Sequence, residues 1–225
     1  MADYQLQVTG EELDQLNSQQ PGRNILINGD KRVNQRVFSG DWSTLSDGEY
    51  GYDRWKKAGS NMVQIVESGT FIRGAVYTLS GAGVSETQVT SPASGNWTIA
   101  VSQSANNIKL EYGGYATKFI SENIAESFAK CARYFYRLFA NQVNASSGAS
   151  SFKSYSSGSF YIGFNVQFPS QMRTTPVVTY TTYTEDNCNF SDILGTPVGA
   201  TIRVNPISSG PYRIYNGVFT ADAEL

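Results

Sequence analysis

The sequence predicts a mainly β protein, and three observations support that prediction. The chain of 225 residues carries 21 Gly, 14 Tyr and 12 Phe, and only 16% of it is charged. That balance is typical of short strands joined by tight turns. Runs rich in β-branched and aromatic residues recur along the chain, and one stretch alone has a strong helical period. We therefore predict two β-sandwich or jelly-roll-like modules joined by an amphipathic helix, with a short helix at the N-terminus.

Residues 1–22 are predicted to form an attachment or oligomerisation segment. Thr9 and Glu12 fit a T-x-x-E capping box, and Leu13 and Leu16 follow as a short apolar stripe. A helix of about two turns is marginal alone in water. We expect Leu13 and Leu16 to pack against copies of the chain or against another protein.

Residues 23–118 are predicted to form the first β module. Ile25, Leu26 and Ile27 open it as a strand, and Asn28-Gly29-Asp30 indicates a turn. Partial alternation in the later runs favours strands with one face on a core. These runs are 62–66, 75–79, 97–101 and 108–111.

A connecting helix is predicted within residues 119–141, from Ser121 as the cap to about Leu138. Apolar residues in this stretch fall on one face of a 3.6-residue period. They are Ile124, Phe128, Cys131, Ala132, Phe135 and Leu138. We expect Ile124, Phe128 and Phe135 to form an oligomer interface.

Residues 142–225 are predicted to form a second β module that presents the recognition surface. Residues 142–159 are rich in Ser, Ala and Gly, which indicates a loop or a loosely paired hairpin. Alternating runs then predict further strands. The runs are 160–168, 176–183, 200–204 and 212–215.

Composition excludes several classes of function. The formal charge is −2 and no long run of charges has one sign, so the sequence predicts no positively charged surface for binding nucleic acid or anionic lipid. The chain has no His, which removes the commonest general base and metal ligand. Cys131 and Cys188 form no CxxC pair, so we expect plain thiols and no zinc. We predict no cofactor and no metal, and a soluble protein without a secretion signal or a membrane span.

The tryptophans differ in how well burial explains them. Trp55, in the stretch Tyr52-Asp53-Arg54-Trp55, could stack on a sugar ring, but an indole beside a strand is more often core, as we also expect for Trp97. Trp42 lies in a polar loop without an apolar period, so we predict it as a stacking platform for a ligand.

In the second module, a set of tyrosines and polar residues is predicted to bind ligand. Exposed tyrosine is a common recognition residue, although tyrosines on a strand can equally pack a subunit interface. The set is Tyr180, Tyr183, Glu185, Asp186, Asn187, Tyr212 and Tyr215.

Acidic residues allow two further hypotheses. Asp47 and Glu49 with Asp53, or Glu185 with Asp186, could hold Ca²⁺, but neither spacing matches a recognised calcium loop. Asp41 with Asp47, or Glu185 with Asp192, could serve as the acid and base of a glycan-cleaving enzyme. Such acid pairs occur by chance in most chains, so we predict no catalytic residues.

Four stretches, taken in this order, resemble a modular family of phage and prophage tail-fibre proteins. They are Asn24–Asp30 with Asn34-Gln35-Arg36; Tyr52–Trp55; Ile108–Glu111 with Ala116–Phe119 and Lys130–Phe135; and Met172–Val177. The closing Ala221–Leu225 is also similar to the ending of many such fibres. Val33 and Asn34 stand where an aromatic residue often precedes the Gln-Arg pair in the family.

The resemblance implies a carbohydrate-binding jelly roll in the first module and a trimeric, virion-attached fibre that touches the host surface. We therefore expect a non-catalytic phage tail-fibre protein, made in the host cytoplasm, that binds host polysaccharide multivalently and contacts other tail or baseplate proteins. A purely structural virion protein, in the baseplate or as a capsid fibre, is the first alternative. A glycan depolymerase is the second.

Overall fold

The computed structural model describes residue 20 and residues 22–139, 152–156, 162–208, 210–215 and 217–225. It confirms the mainly β prediction, with 45% of residues in strands, 9% helical and one α-helix. The chain divides into two compact units, Met1–Ser127 and Phe128–Leu225. Over the described ranges, no helix is long and apolar enough to cross a membrane. The predicted N-terminal helix, with Leu13 and Leu16, lies outside these residues.

The first unit contains two three-stranded antiparallel sheets, ordered β1-β2-β5 and β4-β3-β6. The strands are β1 (Lys56–Ala58), β2 (Asn61–Val66), β3 (Val76–Ala82), β4 (Val84–Thr90), β5 (Trp97–Ser102) and β6 (Asn106–Tyr112). The four runs predicted after the turn correspond to β2, β3, β5 and β6. Strand β4 was missed because its central residues are all exposed, which leaves no alternation to detect.

Both sheets of the first unit contribute to one hydrophobic core. In β5, Trp97, Ile99 and Val101 are buried and alternate with exposed residues. Trp55, Met62, Phe71 and Tyr77 are completely buried in the same core. The core confirms Trp55 and Trp97 as packing residues, while the jelly-roll topology stays a prediction.

The predicted strand at Ile25–Ile27 is wrong, because a side chain ties this segment to β6. Asn24 Oδ1 accepts hydrogen bonds from the backbone amides of Leu26, at 3.0 Å, and Leu110, at 2.9 Å. Asn24 Nδ2 donates to the carbonyl of Ile108 at 2.9 Å. The Gln64 side-chain amide binds both backbone groups of Ile27 at 2.8 Å, and the Ile25 amide donates to the Leu110 carbonyl at 3.0 Å. The segment is therefore held mainly by two side-chain amides in place of a regular ladder of backbone hydrogen bonds.

The predicted turn at Asn28-Gly29-Asp30 is confirmed, and the Asn28 side chain fastens it to distant residues. The amide of Lys31 donates to the Asn28 carbonyl at 3.1 Å. Asn28 Nδ2 donates to the carbonyls of Val33, at 2.8 Å, and Asp53, at 3.1 Å, while its Oδ1 accepts from the Val33 amide at 2.9 Å. Trp55 Nε1 donates to the Asn28 carbonyl at 3.0 Å. Buried polar groups at this turn are thus satisfied by one another.

Asp53 and Arg54 extend this network. The Asp53 carboxylate accepts from the amide of Gln35 at 2.6 Å and from its Nε2 at 3.0 Å. Arg54, which is 2% exposed, donates to the carbonyl of Ile65 on β2 at 2.6 Å. The stretch Tyr52–Trp55 therefore has a packing role, as the structural interpretation of that stretch predicted.

A buried ion pair fixes the chain after β6. Lys109 Nζ lies 3.2 Å from Glu111 Oε2, and their side chains are only 3% and 1% exposed. Glu111 accepts from the amide of Thr117 at 2.6 Å and from its hydroxyl at 2.8 Å. Lys109 Nζ also donates to the Thr117 hydroxyl. Both charges are compensated and hydrogen-bonded, which burial requires.

The connecting helix, α1 (Ile124–Ala132), is shorter than predicted. The cap is Asn123 in place of Ser121, because Asn123 Oδ1 accepts from the Ala125 amide at 2.8 Å. The predicted C-terminal half forms strand β7 (Phe135–Phe139), which pairs with β15 (Val218–Asp222). Strand pairing with a distant segment thus prevails over the local 3.6-residue period.

Of the three residues predicted to form an oligomer interface on the helix, only Ile124 and Phe128 lie on α1. Ile124 is 49% exposed and Phe128 is half-buried. Phe135 is wrong as a helix-face residue, because it lies in β7 and is 5% exposed. The strands of the second unit also begin before residue 142, where the second module was predicted to start.

The second unit contains three three-stranded antiparallel sheets, ordered β10-β15-β7, β11-β14-β8 and β12-β13-β9. The other strands are β8 (Phe152–Ser156), β9 (Ile162–Gln167), β10 (Val177–Thr181), β11 (Thr184–Asp186), β12 (Cys188–Thr196), β13 (Gly199–Pro206) and β14 (Gly210–Tyr215). Strand β8 lies within the predicted loop or hairpin. The four predicted strand runs correspond to β9, β10, β13 and β14, whereas β11 lies in the stretch that was predicted as the loop after a strand.

All three sheets of the second unit supply residues to one core. Ile202, Ile214 and Phe219 are completely buried, and Cys188 is 1% exposed. Cys131 and Cys188 are free thiols, as predicted. Strand β12 was missed because Asn189, Asp192 and Gly195 interrupt its apolar pattern.

Replacing Lys109 by methionine should destabilise the first unit by about 3–5 kcal/mol, because Glu111 is left charged and buried without a cation. All three tryptophans lie in the first unit, so urea unfolding followed by tryptophan fluorescence measures this change. The double variant Lys109→Met/Glu111→Leu should recover part of the loss. A cost below about 1 kcal/mol for the single variant would contradict a buried pair.

Candidate functional site

Trp42 is not the exposed stacking platform that the sequence predicted. It opens a 3₁₀ turn, Trp42–Thr44, capped by Asp41, and is 7% exposed. Its ring packs edge-on against Phe38, at a centroid distance of 4.9 Å, and against Tyr52, at 6.2 Å. The polar residues around Trp42 concealed this burial because its partners come from other loops of the unit.

Two of the predicted binding tyrosines are also core residues. Tyr180 is 6% exposed and Tyr212 is completely buried, so neither can present its ring to a ligand. The Tyr180 ring packs directly against the backbone of Gly217, because a Cβ at that position would overlap the ring. Burial, together with a smaller effect of charge on Tyr183, raises the pKa of Tyr180 to about 12. Tyr215 lies in β14, and its side chain is outside the described part of the structure.

Among the predicted tyrosines whose side chains the structure describes, Tyr183 is the one that remains partly accessible. It is half-buried and stacks on Tyr180, with ring centroids 5.1 Å apart and an interplanar angle of 5°. Phe190 lies 5.2 Å from Tyr183 and 6.4 Å from Tyr180. These three distances form a triangle, so Phe190 lies beside the stack. Tyr183 is thus a partly exposed ring at the edge of an aromatic cluster, and a tyrosine ring of this kind can stack on a ligand.

Glu185 lies next to these rings. Its side chain is exposed, and its Oε1 accepts a hydrogen bond from the backbone amide of Phe190. The amide fixes one carboxylate oxygen and leaves acceptor capacity on the other. Tyr183, Glu185 and Phe190 together form what we name the Tyr183 surface.

The other polar residues of the predicted set have internal partners. Asp186 lies opposite Arg213 in the ladder and accepts from its Nε at 2.8 Å. Asn187 has a left-handed backbone, with φ of 54°, in the turn between β11 and β12. Its Oδ1 accepts from the amide and the hydroxyl of Ser208, at 3.1 and 2.7 Å. Asn187 therefore joins two loops.

One member of each acid pair considered for catalysis has a lowered pKa. A hydrogen bond from the Ser43 hydroxyl lowers the pKa of Asp41, and hydrogen bonds from Arg203 lower the pKa of Asp192. A general acid needs a raised pKa. Glu185 and Asp192 are both already engaged, with Phe190 and Arg203.

The carboxylates proposed for calcium have protein partners as well. Asp47 accepts from the Gly59 amide at 2.7 Å, Glu49 from the Ser46 amide at 2.5 Å, and Asp53 from Gln35. Among the described residues, no group of three His, Cys, Asp or Glu is arranged to hold a metal ion.

Sequence reasoning found Tyr183 and Glu185 but missed Phe190, which was not predicted to lie in a strand. It also missed Arg203 and Arg213, the partners of Asp192 and Asp186. Their pairing depends on strand register, which the sequence does not specify. No family model, no curated protein and no solved structure matches the chain.

Trp42→Ala should destabilise the first unit by about 3–5 kcal/mol, the usual cost of truncating a buried aromatic residue, whereas Trp42→Phe should cost less. Trp55 and Trp97 remain as fluorescent reporters of urea unfolding. If Trp42→Ala unfolds at the same urea concentration as the wild type, the ring does not lie in the core.

Stability of the second unit should fall between pH 10 and about pH 12. Unfolded Tyr180 ionises near its ordinary pKa of 10, whereas the folded pKa is about 12, so the unfolded state loses its proton first. The decline should approach about 1.4 kcal/mol per pH unit. Urea unfolding followed by far-ultraviolet circular dichroism at pH 9 and 11 measures it. The decline should be smaller in Tyr180→Phe, and an equal decline would contradict this assignment.

Proposed function

We propose that the chain is a non-catalytic receptor-binding protein of a phage tail fibre, and that the Tyr183 surface binds host polysaccharide. One observation carries the proposal: the partly exposed Tyr183 ring packs against Phe190, whose backbone amide holds the exposed Glu185 carboxylate in position. The apolar face of a sugar stacks on such a ring, and sugar hydroxyls donate to a carboxylate. Both groups lie on or beside strands, which favours a preorganised site.

The structural roles of the tail-fibre-like stretches are consistent with this proposal. Asn24, Asn28, Asp53 and the Lys109–Glu111 pair organise the interior of the first unit. Residues that specify a fold explain why a modular family would share such stretches while its members recognise different receptors. In this proposal, the first unit supports the fibre and the second unit recognises the host.

Binding through one shallow surface is weak, so the mechanism depends on multiple copies. A homotrimer carries three Tyr183 surfaces, and several fibres on one virion multiply that number. Linked sites of this kind raise avidity by about 10²–10⁴ without any new contact. The protein would act on the virion, alongside other tail or baseplate proteins.

A purely structural role in the virion is the second candidate, and exposed apolar residues of the first unit favour it. Tyr115 is 85% exposed and Ile120 is 82% exposed. Large apolar side chains so close together in sequence are suited to contacts between subunits. A structural protein would assemble through these residues without binding glycan.

Tyr183→Ala should reduce binding to an array of bacterial surface polysaccharides by at least about tenfold, because it removes the stacking face. Leu194→Ala is the matched control, since Leu194 is 52% exposed on the same strand as Phe190 and should leave binding unchanged. Light scattering should give the mass of a trimer for all three proteins.

A trimer that binds no polysaccharide would favour the structural role. Shortening of the polysaccharide chains during incubation would instead indicate an enzyme. A monomer at micromolar concentration would remove the multivalent mechanism.

A further inference from the structure

Two large apolar side chains of the first unit are almost fully exposed in the connection between β6 and α1. Tyr115 is 85% exposed and Ile120 is 82% exposed. Single exposed apolar residues are common on a protein surface, whereas large ones close together in sequence indicate a surface that makes contacts. The connection is fixed in place between these two residues, because the amide of Thr117 donates to Glu111 at 2.6 Å. Tyr115 and Ile120 therefore flank a point that is anchored to β6.

The described chain begins beside this connection. Its first residues are 20 and 22, and a Cβ on Gly22 would lie 3.4 Å from the Thr117 hydroxyl oxygen. Consecutive Cα atoms are about 3.8 Å apart, so the Cα atoms of Tyr115 and Ile120 lie within about 8 Å and about 11 Å of that of Thr117. Residues 1–19 therefore join the first unit next to both exposed side chains.

Residues 1–19 have a charge opposite to that of the region where they join. Lys118 is exposed and Arg23 is half-buried. Neither forms a salt bridge with another described residue. An acidic segment lying against them would pair with both cations. Residues 1–19 contain no Lys or Arg and four acidic residues, which are Asp3, Glu11, Glu12 and Asp14.

The sequence of the same segment also predicts an apolar stripe, Leu13 and Leu16, on a helix of about two turns. Such a helix is marginal alone in water and gains stability by burying its apolar side chains. From Leu16 to Gly22 the chain can extend up to about 20 Å, at about 3.3 Å per residue. That length allows Leu13 and Leu16 to reach Tyr115 and Ile120.

We propose that residues 1–19 dock on the first unit of their own chain, with Leu13 and Leu16 packed against Tyr115 and Ile120. The segment is attached beside this surface, so contact within one chain has a high effective concentration that contact between chains lacks. The surface lies in the first unit and the Tyr183 surface lies in the second, so the inference goes beyond the proposed function and does not depend on it. Docking would also withdraw Tyr115 and Ile120 from contacts between subunits.

Four double-cysteine variants of the full chain test this contact. Each variant replaces Leu13 or Leu16, together with Tyr115 or Ile120, by cysteine. At least one pair should oxidise to a disulfide within one chain in most molecules, because docking brings the Cβ atoms within the few ångströms that a disulfide needs. Non-reducing electrophoresis and peptide mass mapping measure the yield and show whether one chain or two are joined.

Leu16→Cys/Val37→Cys is the matched control. Val37 belongs to the same unit and is 63% exposed, but it lies in another loop. Its disulfide yield should be at least about tenfold lower than that of the best docking pair. The native thiols of Cys131 and Cys188 are buried, so they should not compete.

A protease that cuts after Glu measures docking without introduced cysteines. Tyr115→Ser/Ile120→Ser should raise the rate of cleavage after Glu11 and Glu12 at least about tenfold, because a docked segment must be released before it is cut. Val37→Ser is the control and should leave this rate unchanged. Intact mass measured over time gives the rate.

Disulfide yields at the control level for all four pairs would overturn the proposal, as would equal cleavage rates in the wild type and in Tyr115→Ser/Ile120→Ser. Disulfides that join two chains would also overturn it, in favour of the N-terminal segment of a second copy. Neither measurement uses a glycan, so failure here leaves the proposed function of the Tyr183 surface unaffected.

Discussion

The side-chain amide of Asn28 is the constraint on which the first unit depends. It joins its own turn to Val33 and to Asp53 through three hydrogen bonds. The backbone carbonyl of the same residue accepts a hydrogen bond from the indole N–H of Trp55. Asn28 has a φ of 58°, a left-handed conformation that asparagine tolerates better than most residues. Because the groups it satisfies are buried, loss of this amide would leave several of them without partners. The fully buried Trp55 is positioned from the same point.

The two units combine polar and aromatic residues differently. In the first unit, buried amides and charges close loops around one core, and its three tryptophans are all packed inside. In the second unit, Tyr180 and Tyr212 are buried, while Tyr183 extends the aromatic cluster to the surface beside Glu185. In the proposed function, recognition and stability therefore share one aromatic cluster in the second unit. Tyr180 supports Tyr183 from below, and the ligand would meet only the outer ring.

Local patterns predicted much of this structure from the sequence. Strand β5 and the turn at Asn28 were predicted because alternation and the Asn-Gly pair are local signals. Strand β7 was predicted as helix, because its pairing with β15 involves residues about 80 positions away. The same limit explains the errors at Trp42, in a loop, and at Tyr180, in β10, since burial of an aromatic ring depends on partners from other segments, such as Phe190 for Tyr180. Tyr183 and Glu185 were predicted because both follow a clear strand, whereas Phe190 required the register of β12.

The most direct test of the role of Asn28 is urea unfolding of Asn28→Gly, followed by tryptophan fluorescence. Glycine accommodates the positive φ, so this change removes the side-chain hydrogen bonds without adding backbone strain. Asn34→Gly is the comparison, because half-buried Asn34 also makes two hydrogen bonds to backbone, but only to Phe38, four residues away. We predict a loss of about 3 kcal/mol or more for Asn28→Gly and a clearly smaller loss for Asn34→Gly. Equal, small losses would contradict the central role of Asn28 in the first unit.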